Sequence, residues 1–349
     1  KMNELKQMTK NMLTGKVGFA CKFMHENQSL KPKELKEIQQ PLNFRGTTIK
    51  WLRENKSQAQ EKVYELVEHN LNATENLIDY VSTLPMQQRM MRLGSDMLPA
   101  YTEVNFQHLT KTNYITNLIA DRLNTIGEKA RANNIRLSMH PGQFTVLASD
   151  RPDVVENSIK EFEYHADIIR WLGYGKSFQD FKCNVHISGR KGPDGIKAIL
   201  RRLSQEARNT ITIENEENTW GLDSCLELEK DVPLVLDIHH HWCHTNGEYI
   251  SAEDDRVKRV IDSWRGVRPT LHYSVSREEL LPDHPTDRRP DYKSLCEQGL
   301  NKQKLRAHSD YMWNTDVNEW AGTFRRDFDI MVEAKCKNLA SIPFEESTR

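Results

Sequence analysis

No run of about twenty apolar residues occurs anywhere in this 349-residue chain, which excludes a membrane-spanning helix. No signal-peptide pattern opens it, and no C-x-x-C pair occurs; Cys21, Cys183, Cys225, Cys243, Cys296 and Cys336 are scattered. Scattered thiols in a chain this long read as reduced rather than as a disulfide framework, so an intracellular, non-secreted protein is expected. An excess of charge of either sign is also missing: 49 Lys and Arg against 50 Asp and Glu leave a net charge of −1. Nothing global therefore draws the chain to nucleic acid, although a local basic rim or bound divalent cations would. No G-x-G-x-x-G follows the first strand-like segment, which argues against a dinucleotide fold. Internal repeats, low-complexity tracts and a linker between domains are absent as well.

What is present is a set of short apolar runs alternating with helical periodicity. Strands are expected at 16–21, 90–93, 135–139, 181–187, 210–213, 234–238, 269–273 and 328–332. Between them, Val63, Leu66, Val67, Leu71, Leu77, Ile78 and Val81 share one helical face, and further helices are expected at 113–132, 153–172, 195–208, 222–229 and 252–264. Residues 1–15 read as a polar lead-in, 24–50 as an irregular loop carrying Pro32 and Pro41, and 276–302 as a long loop. Eight strands in βα repeats predict an α/β fold: a single TIM-type (βα)8 barrel domain spanning residues 1–349.

The strands end on ligand-type side chains. His140, His186, Glu214, Asp237 with His240, His272 and Glu333 follow the third to eighth strands in turn, and His308 lies in a loop or short helix before the last. In a barrel these C-terminal ends converge on one rim. Imidazole and carboxylate together suit zinc, manganese or iron, and eight such groups serve two or three divalent metals if Glu214 bridges. A cluster of that kind activates hydroxide and neutralises phosphoryl charge, so phosphodiester hydrolysis is the expected chemistry. His239 and His241 flank His240 and, if the strand continues, face away from it. His25, His69, His165, His244 and His284 lack the strand-end context. Arg190 and Lys191, beside Gly189 and Gly192, are candidate phosphate contacts, as are Arg45, Lys50, Arg288, Arg289 and Lys293.

Several segments together resemble the UV damage endonuclease family. They are Arg92-Leu93-Gly94-Ser95, Ser138-Met139-His140-Pro141-Gly142-Gln143-Phe144, Asn184-Val185-His186-Ile187-Ser188-Gly189, Ile213-Glu214-Asn215-Glu216, Leu236-Asp237-Ile238-His239-His240-His241, His272-Tyr273-Ser274, His308-Ser309-Asp310-Tyr311 and Met331-Val332-Glu333-Ala334-Lys335. The resemblance implies a barrel akin to endonuclease IV and a cluster of Mn²⁺-type metals, with Zn²⁺, Mg²⁺ and Co²⁺ as alternatives. It implies incision of double-stranded DNA immediately 5′ to cyclobutane dimers, 6-4 photoproducts or abasic sites, leaving a 3′-hydroxyl and a 5′-phosphate. By the same resemblance Glu214, Asp237, His272 and Glu333 form the catalytic group around one metal. His140, His186 and Glu214 surround a second, and His240 and His308 hold a third, less complete site. Gln143-Phe144 resembles a Gln-Tyr pair pushed into the duplex at the lesion, and Phe19 is expected to line the pocket. A monomer is expected, since bending a duplex needs no dyad.

Two positions depart from the family pattern. Thr270 stands where a lysine, often carboxylated, precedes the seventh-strand histidine, and Glu103 stands where a histidine is common. Two other readings compete: a metal-dependent sugar isomerase on the same barrel type, and a catalytically impaired lesion-binding protein.

Overall fold

Each apolar run forms a strand: β1 Val17–Ala20, β2 Met90–Leu93, β3 Arg136–Met139, β4 Lys182–His186, β5 Ile211–Glu214, β6 Leu234–Asp237, β7 Thr270–Tyr273 and β8 Asp329–Val332. The structure, a computed structural model, describes residues 1–6 and 14–349; the remainder of the expected lead-in, 7–13, lies outside the described residues. Neighbouring strands pair in parallel and β8 returns to β1, so the sheet closes into a barrel in chain order. This is the expected (βα)8 architecture.

Period-two alternation gives the sheet two different faces. Val17, Phe19, Met91, Leu93, Val185, Ile213, Leu236, Leu271, Tyr273, Ile330 and Val332 belong to one apolar core with the surrounding helices. The opposite residues fill the barrel, and there the lining is mostly polar: Arg92, Ser138, Lys182, Asn184, Thr212 and Thr270 are all buried. Register sets the ligand-bearing ends beside one another, since His186 pairs with Glu214 and Asp237 with His272.

The long helices follow the apolar spacing. Ala59–Ser82 buries Val63, Leu66, Val67, Leu71, Leu77, Ile78 and Val81, and Asn113–Ala132 starts where Thr112 Oγ1 accepts from the Ile115 N–H at 3.3 Å. Three expectations are corrected. The long loop expected at 276–302 contains the helix Tyr292–Glu297, which Asp291 caps by accepting from the Ser294 N–H at 2.9 Å. The single helix expected at 195–208 is two, Gly192–Leu200 and Gln205–Thr210. Ser204 Oγ caps the second, accepting from the Ala207 N–H at 3.2 Å, and so restarts the helix instead of continuing it. The segment 24–50, expected to be irregular, contains the helix Pro32–Gln39 and the start of Ile49–Glu54. Pro32 occupies the first turn, where no N–H is needed, and Glu34 Oε2 accepts from the Lys31 N–H at 3.1 Å. Proline therefore begins this helix.

Candidate metal centre

β5 ends on Glu214, whose side chain has no solvent exposure. Asn184 Nδ2 on β4 donates to its Oε1 at 3.1 Å, and Thr212 Oγ1 donates to Asn184 Oδ1 at 2.7 Å, so a buried polar chain orients the carboxylate. Around it two groups gather, in each of which one ligand atom per residue lies within 4.8 Å of the others: His140, His186 and Glu214, and Glu214, Asp237, His272 and Glu333. Glu214 belongs to both. Its Oε2 lies 2.7 Å from His186 Nε2, and its Oε1 meets His272 Nδ1, which lies 3.3 Å from Glu333 Oε1. His140 directs Nδ1 to the Pro141 carbonyl at 2.9 Å, leaving Nε2 for the cluster, and its ring centre is 5.0 Å from that of His186.

Asp237 has two roles. The strand stops there and the helix Ile238–His244 begins, with Asp237 Oδ1 accepting from the His239 and His240 N–H groups at 2.9 and 2.8 Å. The alternation expected to turn His239 and His241 away from His240 therefore does not operate, because these residues are helical. His239 reaches the Leu305 carbonyl at 3.1 Å, and His241 pairs with Glu248. His240 turns back to the site: Nδ1 bonds the Asn215 carbonyl at 2.8 Å and lies 3.5 Å from both Glu214 Oε2 and Asp237 Oδ2, while Nε2 lies 3.6 Å from Glu217 Oε2. His240 and His308 join neither group of ligand atoms.

The charges are strongly coupled. Burial opposes ionisation of Glu214 and Glu333, but His272 outweighs it, with His186 at Glu214 and Arg92 at Glu333, and both carboxyls sit well below the usual range. Asp237 is pushed well above its ordinary value by burial, with Glu214 and Glu333 adding to it despite His240. Burial disfavours charge on His240, yet Asp237, Glu214 and Glu217 overcome it and raise its pKa to about 10. Burial and the Arg92 charge hold His140 well below 6.5, as a neutral imidazole.

The donor set fits divalent cations. Asp237 Oδ2 is buried without a hydrogen bond, in the group that Glu214 shares. Buried acceptors of that kind need a compensating partner. A cation held by imidazole and carboxylate is such a partner.

Other expected site residues are placed as follows. Phe144 is 87% exposed and Gln143 beside it is also exposed, on the loop that follows His140. Arg190 and Lys191 are exposed on the turn after β4. That turn needs its glycines: Gly189 has φ +115°, and a Cβ there would come within 2.3 Å of the Ala148 backbone. Glu103 is half-buried in a turn and belongs to neither group. Phe19 is corrected. It is 1% exposed and packs edge-on against Tyr80 at 6.4 Å, on the helix side of the sheet, so it does not line the pocket. Thr270 is buried with Oγ1 unpartnered. A lysine does reach His272, but from β4: Lys182 Nζ lies 2.8 Å from His272 Nε2. Sequence reasoning passed over Lys182, Asn184 and Glu217, although alternation back from His186 puts Asn184 and Lys182 on its face.

The model of the UV-endonuclease UvdE family matches residues 15–345. The chain belongs to that family. UV DNA damage endonucleases of Bacillus cereus (strain Q1) and Bacillus mycoides (strain KBAB4) are each 25% identical to it, over 305 and 311 residues. These matches cover 83% and 85% of this chain and 84% and 86% of the relatives. The crystal structure of SacUVDE superposes with a TM-score of 0.69 at 22% identity, covering 95% of this chain and 97% of that one, a likeness of fold. Membership in the UvdE family supports a DNA-repair endonuclease directed at UV damage.

Proposed function

We propose that this UvdE-family protein hydrolyses the phosphodiester immediately 5′ to UV photoproducts in double-stranded DNA, acting inside the cell as a monomer and leaving a 3′-hydroxyl and a 5′-phosphate. The observation that carries this reading is Glu214, shared by both ligand groups at the centre of the barrel mouth. Glu214, Asp237, His272 and Glu333 would hold one cation, His140, His186 and Glu214 a second, and His240 with His308 a third. Such cations, most suitably Mn²⁺, supply water activation and charge neutralisation at phosphorus. The chain's own residues do the rest. Asn184 and Thr212 fix the Glu214 carboxylate. Arg92 Nη1, 3.0 Å from Glu333 Oε2, holds that carboxylate in place. Gln143 and Phe144 stand at the mouth as a wedge, where a planar ring can occupy the gap left by displaced bases. A fused pyrimidine pair stacks poorly, so displacing it costs less than displacing normal bases, and selectivity arises from deformability. Arg190 and Lys191 meet the backbone.

The test is a labelled duplex carrying a single cyclobutane dimer, incubated with the protein and Mn²⁺. Incision 5′ to the dimer, abolished by a chelator, is expected. Binding without cleavage in Mn²⁺, Zn²⁺, Mg²⁺ and Co²⁺ would favour the impaired lesion binder, and absence of binding would return the sugar-isomerase reading.

A further inference from the structure

Lys182 is 2% exposed inside the barrel. A buried ammonium ordinarily faces a carboxylate. Lys182 faces an imidazole, its Nζ 2.8 Å from His272 Nε2. Arg92 Nη2 approaches the same nitrogen at 3.4 Å. The other ring nitrogen, Nδ1, meets Glu214 Oε1 and Glu333 Oε1 in the ligand group. The imidazole is thus gripped along both edges, by the site carboxylates on one and by Lys182 on the other.

Arg92 shares the nitrogen only at the longer 3.4 Å, while its Nη1 is committed to Glu333 Oε2 at 3.0 Å. Ser138, the register partner of Lys182, and Thr270, two residues before His272, carry hydroxyls into the interior, yet both oxygens are buried without partners. The contact spans from β4 to β7, across the intervening β5 and β6. When Nδ1 ligates a cation, Nε2 carries the ring proton and donates it to the Lys182 amine, and such a partner on the second nitrogen fixes the plane of the ring. Burial, with the like charge of Arg92 adding, pushes the Lys182 amine well below the ordinary lysine range, so the residue sits there at a cost that an apolar side chain would avoid.

We propose that Lys182 is a positioning residue: by bonding His272 Nε2 it sets the rotation of the imidazole, and thereby whether Nδ1 can join Glu214, Asp237 and Glu333 around one cation. This rests on the metal-dependent reading above. The test titrates Mn²⁺ alone into wild-type protein and Lys182→Met by electron paramagnetic resonance, with circular dichroism of both in chelator as the folding control. The variant is expected to need about 10–100-fold more Mn²⁺ to fill one site. Its kcat for incision should fall at low Mn²⁺ and recover at saturating Mn²⁺, with KM for the damaged duplex unchanged. A folded Lys182→Met that melts lower in chelator but binds Mn²⁺ as the wild type does would overturn the proposal and leave Lys182 a filler of the barrel. Should Lys182→Met not fold, Lys182→Gln repeats the titration. A crystal structure of Mn²⁺-loaded wild type answers independently, and Nζ beyond hydrogen-bonding reach of Nε2 would equally overturn the idea. Wild type that binds Mn²⁺ yet cuts no damaged duplex would sink the proposed function while the Lys182 titration still stood.

Discussion

His186 and Glu214 are register partners on adjacent strands, and Nε2 of the one lies 2.7 Å from Oε2 of the other. The other oxygen of the same carboxylate meets His272. One side chain thus ties the two ligand groups into one centre, and any change at it should be felt by both.

Glu214→Gln keeps the shape of the side chain and removes its charge. The variant should fold, bind fewer Mn²⁺ ions per chain, and incise a dimer-containing duplex at least about 10³-fold more slowly, since metal-assisted charge stabilisation supplies several kcal/mol. Single-turnover incision together with a count of bound Mn²⁺ checks this. Wild-type stoichiometry with slow incision would mean that Glu214 acts only on substrate.

Phe144 is exposed enough that its loss should leave the melting temperature and Mn²⁺ uptake unchanged. Stacking on a base contributes about 1–3 kcal/mol, so Phe144→Ala should weaken binding to a dimer-containing duplex by about 5–150-fold. Binding to undamaged duplex should change little, and Phe144→Tyr should bind as the wild type does. Equal losses on damaged and undamaged DNA would remove the wedge from the account.

The Thr270 hydroxyl is buried without a partner. An unsatisfied group of that kind costs about 1–3 kcal/mol, so Thr270→Val should stabilise the metal-free protein by about 1 kcal/mol in chemical denaturation. Thr270→Lys would add a cation to an interior that already holds Arg92 and Lys182. It should destabilise by about 3–5 kcal/mol and give no gain of activity at low Mn²⁺. Higher activity at low Mn²⁺ would instead show that a lysine on β7 is what this chain is missing.

His240 should govern how the metal-free protein responds to alkali. Its folded pKa of about 10 lies above the ordinary 6.5. Its contribution to stability is therefore complete below about pH 6.5 and is lost as pH rises through about 10, at up to about 1.4 kcal/mol per pH unit. Denaturation in chelator across that window should show the decline, and His240→Gln should flatten it. Mn²⁺ uptake should release protons and tighten over the same range, because cation and proton compete for the same cluster. A flat profile in the metal-free wild type would contradict this.

Much of the architecture was legible because it is local. Apolar runs of four or five residues, each followed by a helical period, can only be the βα units of a parallel sheet, and the ligand-type residues at their ends are visible in the chain itself. The departures were also local, but of a kind that pattern alone reads poorly. Pro32 looks like a break until its place in a first helical turn is known, and Ser204 restarts a helix whose periodicity seems continuous.

The chain itself therefore determined the strands, their order, and which of His140, His186, Glu214, Asp237, His272 and Glu333 could meet. Only the tertiary structure decided how they meet. Barrel closure and strand register bring side chains far apart in sequence within hydrogen-bonding distance, so Glu214 is shared, and Asp237 ends its strand by capping the helix that turns His240 back to the site. It also decided that Phe19 faces the helices and that a lysine from β4 backs the β7 histidine. Alternation along a strand says which residues share a face, but how far a side chain reaches across the closed barrel, and what it meets there, is encoded by no spacing along the chain.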